Sequence, residues 1–141
     1  MPKLLAPLIA LIGLTLIAAT HTMAASAPDT AILDTHWKLV SVRGVAAEVG
    51  RREAHLVFRP GGGLAGSTGC NNLAAVYALD GEQIAFGPIV TTRMYCQEAA
   101  RTERALLKGL RDVSRWVVDG NRLELLTDAG VTIAILEKSE G

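Results

Sequence analysis

The stretch from Arg59 to Asn72, RPGGGLAGSTGCNN, decides how this chain folds, because it fits ligand-cradling patterns and also the chemistry of a plain hairpin turn. Gly61, Gly63 and Gly66 satisfy G-x-G-x-x-G. Gly61, Gly66 and Thr68 match a P-loop frame with Ser67 in the place of its lysine, and Ala65 to Gly69 falls one residue short of the G-x-S-x-G elbow of hydrolases. Both phosphate patterns need a helix that starts after the glycines and offers its free N–H groups to the anion. Here Thr68 runs into Gly69-Cys70-Asn71-Asn72 instead, and the charge that reaches terminal phosphates is missing. The hydrolase elbow needs a histidine later in the chain than its serine. His21, His36 and His55 all precede Ser67, so a serine hydrolase is kept only as a remote alternative.

Working outward, the glycines read as a turn. HLVF (His55 to Phe58) and LAGS (from Leu64) flank Pro60-Gly61-Gly62-Gly63 as two strands of a hairpin. The same alternation of apolar and polar residues, broken by turn residues, recurs along the chain. WKLVSV begins at Trp37, AVYAL and QIAF flank Asp80-Gly81-Glu82, and VTT around Val90 follows Gly87-Pro88. WVVD and RLELL surround Gly120-Asn121, and VTIAILE follows Asp128-Ala129-Gly130. Strands joined by hairpins, with one helical interval, predict an α+β fold: a curved antiparallel β-sheet or partial β-barrel packed with one α-helix.

The helical interval is expected from about Gln97 to Val113. At about 100° per residue, Ala99, Leu106, Leu110 and Val113 share one side, and Arg101, Arg104, Lys108, Arg111 and Arg115 recur on the other. Glu98 near the start and Lys108 and Arg111 near the end suit the helix dipole. Glu103 falls inside the apolar arc, where a carboxylate without a partner is costly; Arg93 or Asn71 is expected to supply that partner.

The first residues, MPKLLAPLIALIGLTLIAATHTMAAS, carry one lysine, an apolar run from Leu4 to Ala19 and then small residues, which is the pattern of an export signal. The run is interrupted by Pro7 and Gly13 and is shorter than the roughly 20 residues of a spanning helix. Residues 1–25 are therefore expected to be a cleaved signal peptide, 26–35 a short extension and 36–141 a single domain, periplasmic or secreted, with no transmembrane segment after cleavage. Loss of Lys3 from 14 basic residues leaves thirteen against 14 acidic ones, a balance that calls for no nucleic-acid partner. Only Cys70 and Cys96 are present, and in an oxidising compartment they read as a structural disulfide. The rivals are a zinc site completed by His36 and His55, which lacks short ligand spacing, and a catalytic thiol.

Taken together, these segments resemble the META/HslJ domain family. The resemblance is carried by Trp37-Lys38-Leu39, Gly66 to Asn72, the Tyr77 to Gly81 hairpin, Phe86-Gly87-Pro88, Thr91-Thr92-Arg93-Met94-Tyr95-Cys96 and Glu103, followed by Leu123-Glu124-Leu125 and the strand from Thr132. Asn72 stands where such domains frequently have a basic residue, and no cysteine is placed to receive a lipid. The resemblance implies a small β-rich envelope domain with one packed helix, associated with heat shock and novobiocin resistance, without an established catalytic activity; no cofactor and no metal are expected. Gly69, Asn71, Asn72, Thr92, Arg93, Met94 and Glu103 then form a structural cluster, in which Asn71 and Thr92 satisfy loop backbone groups near the cysteines. The expected role is stress tolerance through binding an envelope protein or ligand. The alternative is an anion-binding module that meets phospholipid or lipopolysaccharide weakly through Arg101, Arg104, Lys108, Arg111 and Arg115.

Overall fold

The computed structural model describes residues 28–141 together with Lys3 and Ala19, so the expected signal peptide lies outside the described residues apart from those two positions. A 3-10 turn, Asp29–Ile32, leads in. Ile32 is fully buried and accepts the indole N–H of Trp37 on its carbonyl at 2.9 Å, so the segment expected as an extension contributes to the core.

The strands follow the turn signals: β1 His36–Val42, β2 Val45–Ala46, β3 Ala54–Arg59, β4 Gly63–Thr68, β5 Asn72–Asp80, β6 Gln83–Phe86 and β7 Val90–Thr91. After helix α1, Ala100–Leu110, come β8 Arg115–Asp119, β9 Arg122–Leu126 and β10 Thr132–Ser139. Among the described residues, eight strands close an antiparallel barrel in the order β1-β3-β4-β5-β6-β8-β9-β10, with β10 returning to β1; β2 and β7 add short flanking pairs to β1 and β5. The expected curved sheet is thus a closed barrel, and closure removes the exposed edges an open sheet presents.

The glycines of the opening stretch form the β3–β4 turn. Gly61 and Gly62 both sit at φ 91°, a left-handed backbone that side chains resist, and the Gly62 carbonyl accepts the N–H of Tyr77 at 2.8 Å. Inward positions fill the barrel with side chains, among them Trp37, Leu56, Phe58, Leu123, Leu125 and Leu136. Simple alternation along WKLVSV would turn Ser41 inward. The β1–β10 register instead shifts between Leu39 and Ser41, a bulge that restores Val42 to the core.

Helix α1 packs Leu106 and Leu110 into the same core, with Ala99 and Val113 also buried just outside its ends. Gly109 allows its close approach: a Cβ there would lie 2.7 Å from Ile133 Cγ2. The helix is shorter than expected. A 3-10 turn, Gln97–Ala99, precedes it, and the N–H groups of Asp112 and Val113 bond to Gly109 and Leu110, three residues back, which tightens and ends the last turn. Ser114 then bonds to Leu126 to start β8, so Arg115 belongs to a strand and not to the basic helix face. No helix among the described residues is long and apolar enough to cross a membrane.

Candidate functional site

The turn between β4 and β5 uses short polar side chains because its backbone groups point into the molecule rather than along a ladder. Thr68 Oγ1 accepts the N–H groups of Cys70 at 3.3 Å and Asn71 at 2.9 Å, and donates to Glu103. Asn71, 1% exposed, spends its whole amide on neighbours: Nδ2 donates to the Met94 carbonyl at 2.9 Å and to Glu103 Oε2 at 2.7 Å, while Oδ1 accepts Met94 N–H at 2.7 Å and Thr92 Oγ1 at 2.8 Å. Thr92 Oγ1 in turn accepts the N–H of Asn72. A disulfide joins Cys70 to Cys96. Three segments distant in sequence, the β4–β5 turn, the loop before α1 and the helix itself, are clasped at one point.

The clasp brings together Gly69, Asn71, Asn72, Thr92, Met94 and Glu103, with Asn71 and not Arg93 satisfying the carboxylate. Arg93 projects into solvent. Met94 is 50% exposed and Tyr95 80% exposed, on a backbone that Asn71 and the disulfide hold in place.

Two participants are not legible from local pattern. Arg52 donates to Asn72 Oδ1 at 2.7 Å and to the Cys70 carbonyl at 2.8 Å, setting a cation beside the position where the family resemblance anticipates one. Glu48 caps α1 from about fifty residues away: its Oε2 accepts the N–H groups of Arg101 and Thr102 at 3.1 and 3.0 Å, while Thr102 Oγ1 accepts the N–H of Glu48. The Thr102 N–H foremost, with Arg101 adding its charge, holds the Glu48 carboxyl below its ordinary range against the opposing effect of burial. A capping box reads from sequence when its partners lie three residues apart; here nothing local marks it.

The basic face is smaller than the sequence implies. Arg101 pairs with Glu48 at 3.4 Å and Arg115, on β8, with Glu82 at 3.3 Å. The acids on or next to the helix are engaged elsewhere, Glu98 with Arg51, Asp112 with Arg43 and Glu103 inside the clasp. Arg104, Lys108 and Arg111 are left exposed without an acidic partner among the described residues.

Ser67, 2% exposed within β4, accepts the N–H of Gly69 at 3.0 Å instead of presenting a nucleophile. His55 lies opposite it in the ladder, but its ring stacks on His36 with centroids 4.0 Å apart and its Nδ1 meets the Glu53 carbonyl. Burial, and then the neighbouring His36 and Arg52 charges, push the His55 imidazole below its ordinary value despite the opposing backbone bond. His36 Nε2 pairs with Glu53 at 2.8 Å. The cysteines being bonded to each other, the zinc and catalytic-thiol readings lose their ligand and their nucleophile.

A family model described as META domain matches residues 30–140. Among curated proteins none matches. An NMR structure of a protein from Burkholderia xenovorans is 25% identical, with a TM-score of 0.63 over 89% of this chain and 100% of that one. A second NMR structure, 18% identical and also at a TM-score of 0.63, covers 79% of this chain and 95% of its own, and shows the same fold.

Proposed function

The chain belongs to the META domain family, and on that premise we propose that it is an HslJ-like, non-enzymatic domain exported to the periplasm or beyond. There it supports tolerance of heat or of novobiocin-type antibiotics by binding an envelope protein or ligand. The observation that carries this reading is the division of labour in the clasp. Its polar groups are consumed internally, Asn71 and Glu103 included, whereas Arg93, Met94 and Tyr95 are held outward on a fixed backbone. Catalysis needs the reverse, reactive groups free at a cleft. A rigid loop that exposes an aromatic, a thioether and a cation matches the composition of binding surfaces, where aromatic residues, Met and Arg are enriched.

The test is complementation of a strain lacking the gene, under heat and under novobiocin. The parent and Ser67→Ala are expected to restore growth, and the double variant Met94→Ser/Tyr95→Ser, checked for folding in the envelope, is expected not to. Full restoration by the double variant overturns the loop as the contact surface. Loss of restoration in a folded Ser67→Ala protein revives the hydrolase. The second reading, anion binding through the helix, is favoured by the lack of acidic partners for Arg104, Lys108 and Arg111 among the described residues.

A further inference from the structure

The exposed loop and the unpaired helix cations lie on one side of the molecule. Asn71 Nδ2 binds both the Met94 carbonyl and Glu103, which sets the loop along the flank of α1 near its start. At the other end of that flank, residues 86–89 border a cleft of about 370 Å³ together with Leu110 and Arg111. The segment 86–95 is therefore tied to the helix near both of its ends. It exposes Val90, Met94 and Tyr95, and the helix beside it exposes Arg104, Lys108 and Arg111.

Charge and shape narrow the partner. Every acid on or next to the helix is already engaged, Glu48 with Arg101, Glu98 with Arg51, Glu103 with Thr68 and Asn71, and Asp112 with Arg43. From Arg104 to Arg111 the cations are spread over about 10 Å of helix axis instead of converging on a cleft, which suits a surface of many anions better than one phosphate. Beside them stand an apolar side chain and a tyrosine, whose ring has an apolar body and a polar tip and settles at the headgroup level of a bilayer. Surfaces that combine basic residues with exposed apolar ones lie in that interface.

We infer that the segment 86–95 and the outer face of α1 form one docking surface for an anionic phospholipid bilayer, with Met94 and Tyr95 entering the interface and Arg104, Lys108 and Arg111 meeting phosphates. This rests on the binding reading above and names its partner. Each cation contributes a factor of roughly five to partitioning, screened by salt.

The experiment is co-sedimentation of the protein, purified after expression of the full chain, with phosphatidylglycerol-containing and pure phosphatidylcholine vesicles across a salt series. The parent is expected to bind the anionic vesicles and to be released by salt. The triple variant Arg104→Gln/Lys108→Gln/Arg111→Gln is expected to lose on the order of 100-fold in partitioning, and Met94→Ser/Tyr95→Ser to lose the fraction that salt does not release. A control triple, Arg59→Gln/Arg115→Gln/Arg122→Gln, changes net charge equally from strand positions and is expected to bind like the parent. Thermal midpoints of all variants confirm folding. Failure of the parent to bind at the lowest salt, equal binding to phosphatidylcholine, or an equal loss in the control overturns the inference. If vesicles stay bare while Met94→Ser/Tyr95→Ser fails in complementation, the partner is a protein: the lipid assignment falls and the binding reading stands. If vesicles bind while that variant complements fully, the docking surface stands and its link to stress tolerance falls.

Discussion

At the clasp, a disulfide, four side-chain bonds from Asn71 and two donors on Glu103 hold segments that share little strand ladder. Further round the barrel, beyond the β5–β6 pair, β6 and β8 meet through a single registered pair, Gln83↔Arg115, flanked by bonds from Ile84 N–H to Ser114 and from Trp116 N–H to Glu82. The indole N–H of Trp116 bonds to the Gly81 carbonyl at 2.9 Å, and Ser114 Oγ is buried without a partner among the described residues. The clasp is held by polar groups out of water, each expensive to orphan. The seam is held by burial of Ile84 and Trp116, a short run of backbone bonds, the indole bond and the half-exposed Arg115–Glu82 pair, with no buried charge among them. The difference teaches where the chain spends specific chemistry: on the loop before α1, which neither a ladder nor an apolar face would fix, and which must stay fixed if Met94 and Tyr95 are to be presented.

Removing the disulfide is expected to have the largest effect. Replacing Cys70 and Cys96 with Ala opens a link across 26 residues, which the chain-entropy model values at about 3.5 kcal/mol. Urea unfolding of the parent and the double variant measures it; a loss below about 1 kcal/mol would show that the hydrogen bonds hold the clasp alone.

Next comes Asn71→Ala, which strands both backbone groups of Met94 as well as Glu103 and is expected to cost about 3 kcal/mol, with Glu103→Ala at about 2. Their double variant is expected to fall short of the sum by more than about 0.5 kcal/mol. Strict additivity in urea unfolding would mean that the two side chains act independently, against the shared bond.

At the seam, Trp116→Phe removes one bond and is expected to cost about 1 kcal/mol. Its signature is local: amide exchange at Ile84 should accelerate more than at Leu39, in the β1–β10 ladder. Uniform acceleration would show that the seam opens only with the whole barrel, and the contrast with the clasp would collapse.

The smallest effect is on the helix cap. Because Glu48 is held below its ordinary pKa, the folded state binds fewer protons than the unfolded one. Its contribution is full above the unfolded value near 4.5 and is lost as pH falls through the lower folded value. Amide exchange at Arg101 and Thr102 should therefore lose protection in acid while the seam amides do not. Glu48→Gln is expected to remove that pH dependence.

Particular residues show how far the chain could be read. The hairpin turns were legible because Asp80-Gly81, Gly120-Asn121 and the glycines after Pro60 act on their own backbone, and the apolar side of the helix because Leu106 and Leu110 lie one turn apart. The inward aim of Glu103 followed from the same geometry. The end of the helix did not: the basic spacing continues through Arg115, and only the bond from Ser114 to Leu126, which leads into β8 at Arg115, overrules it. The bulge in β1 was hidden likewise, because alternation cannot report a residue that its partner strand leaves unmatched.

By itself, then, the sequence determined the hairpin order, the buried side of helix α1, the glycines after Pro60 as a hairpin turn and the availability of two cysteines for each other, all of which depend on residues within a few positions or on residue type alone. The tertiary structure alone decided three things: that β1 meets β10 and closes the barrel, pairing His36 with Ser139; that Glu48 caps a helix beginning at Ala100; and that Glu98 and Asp112 turn away to Arg51 and Arg43, leaving Arg104, Lys108 and Arg111 without acidic partners among the described residues. The physical reason is the same in each case. These contacts join residues about fifty to a hundred positions apart, or on separate segments, and such groups have no local preference for one another; they meet because burial of the shared core places their backbones side by side, and only then can their charges and hydrogen bonds select partners.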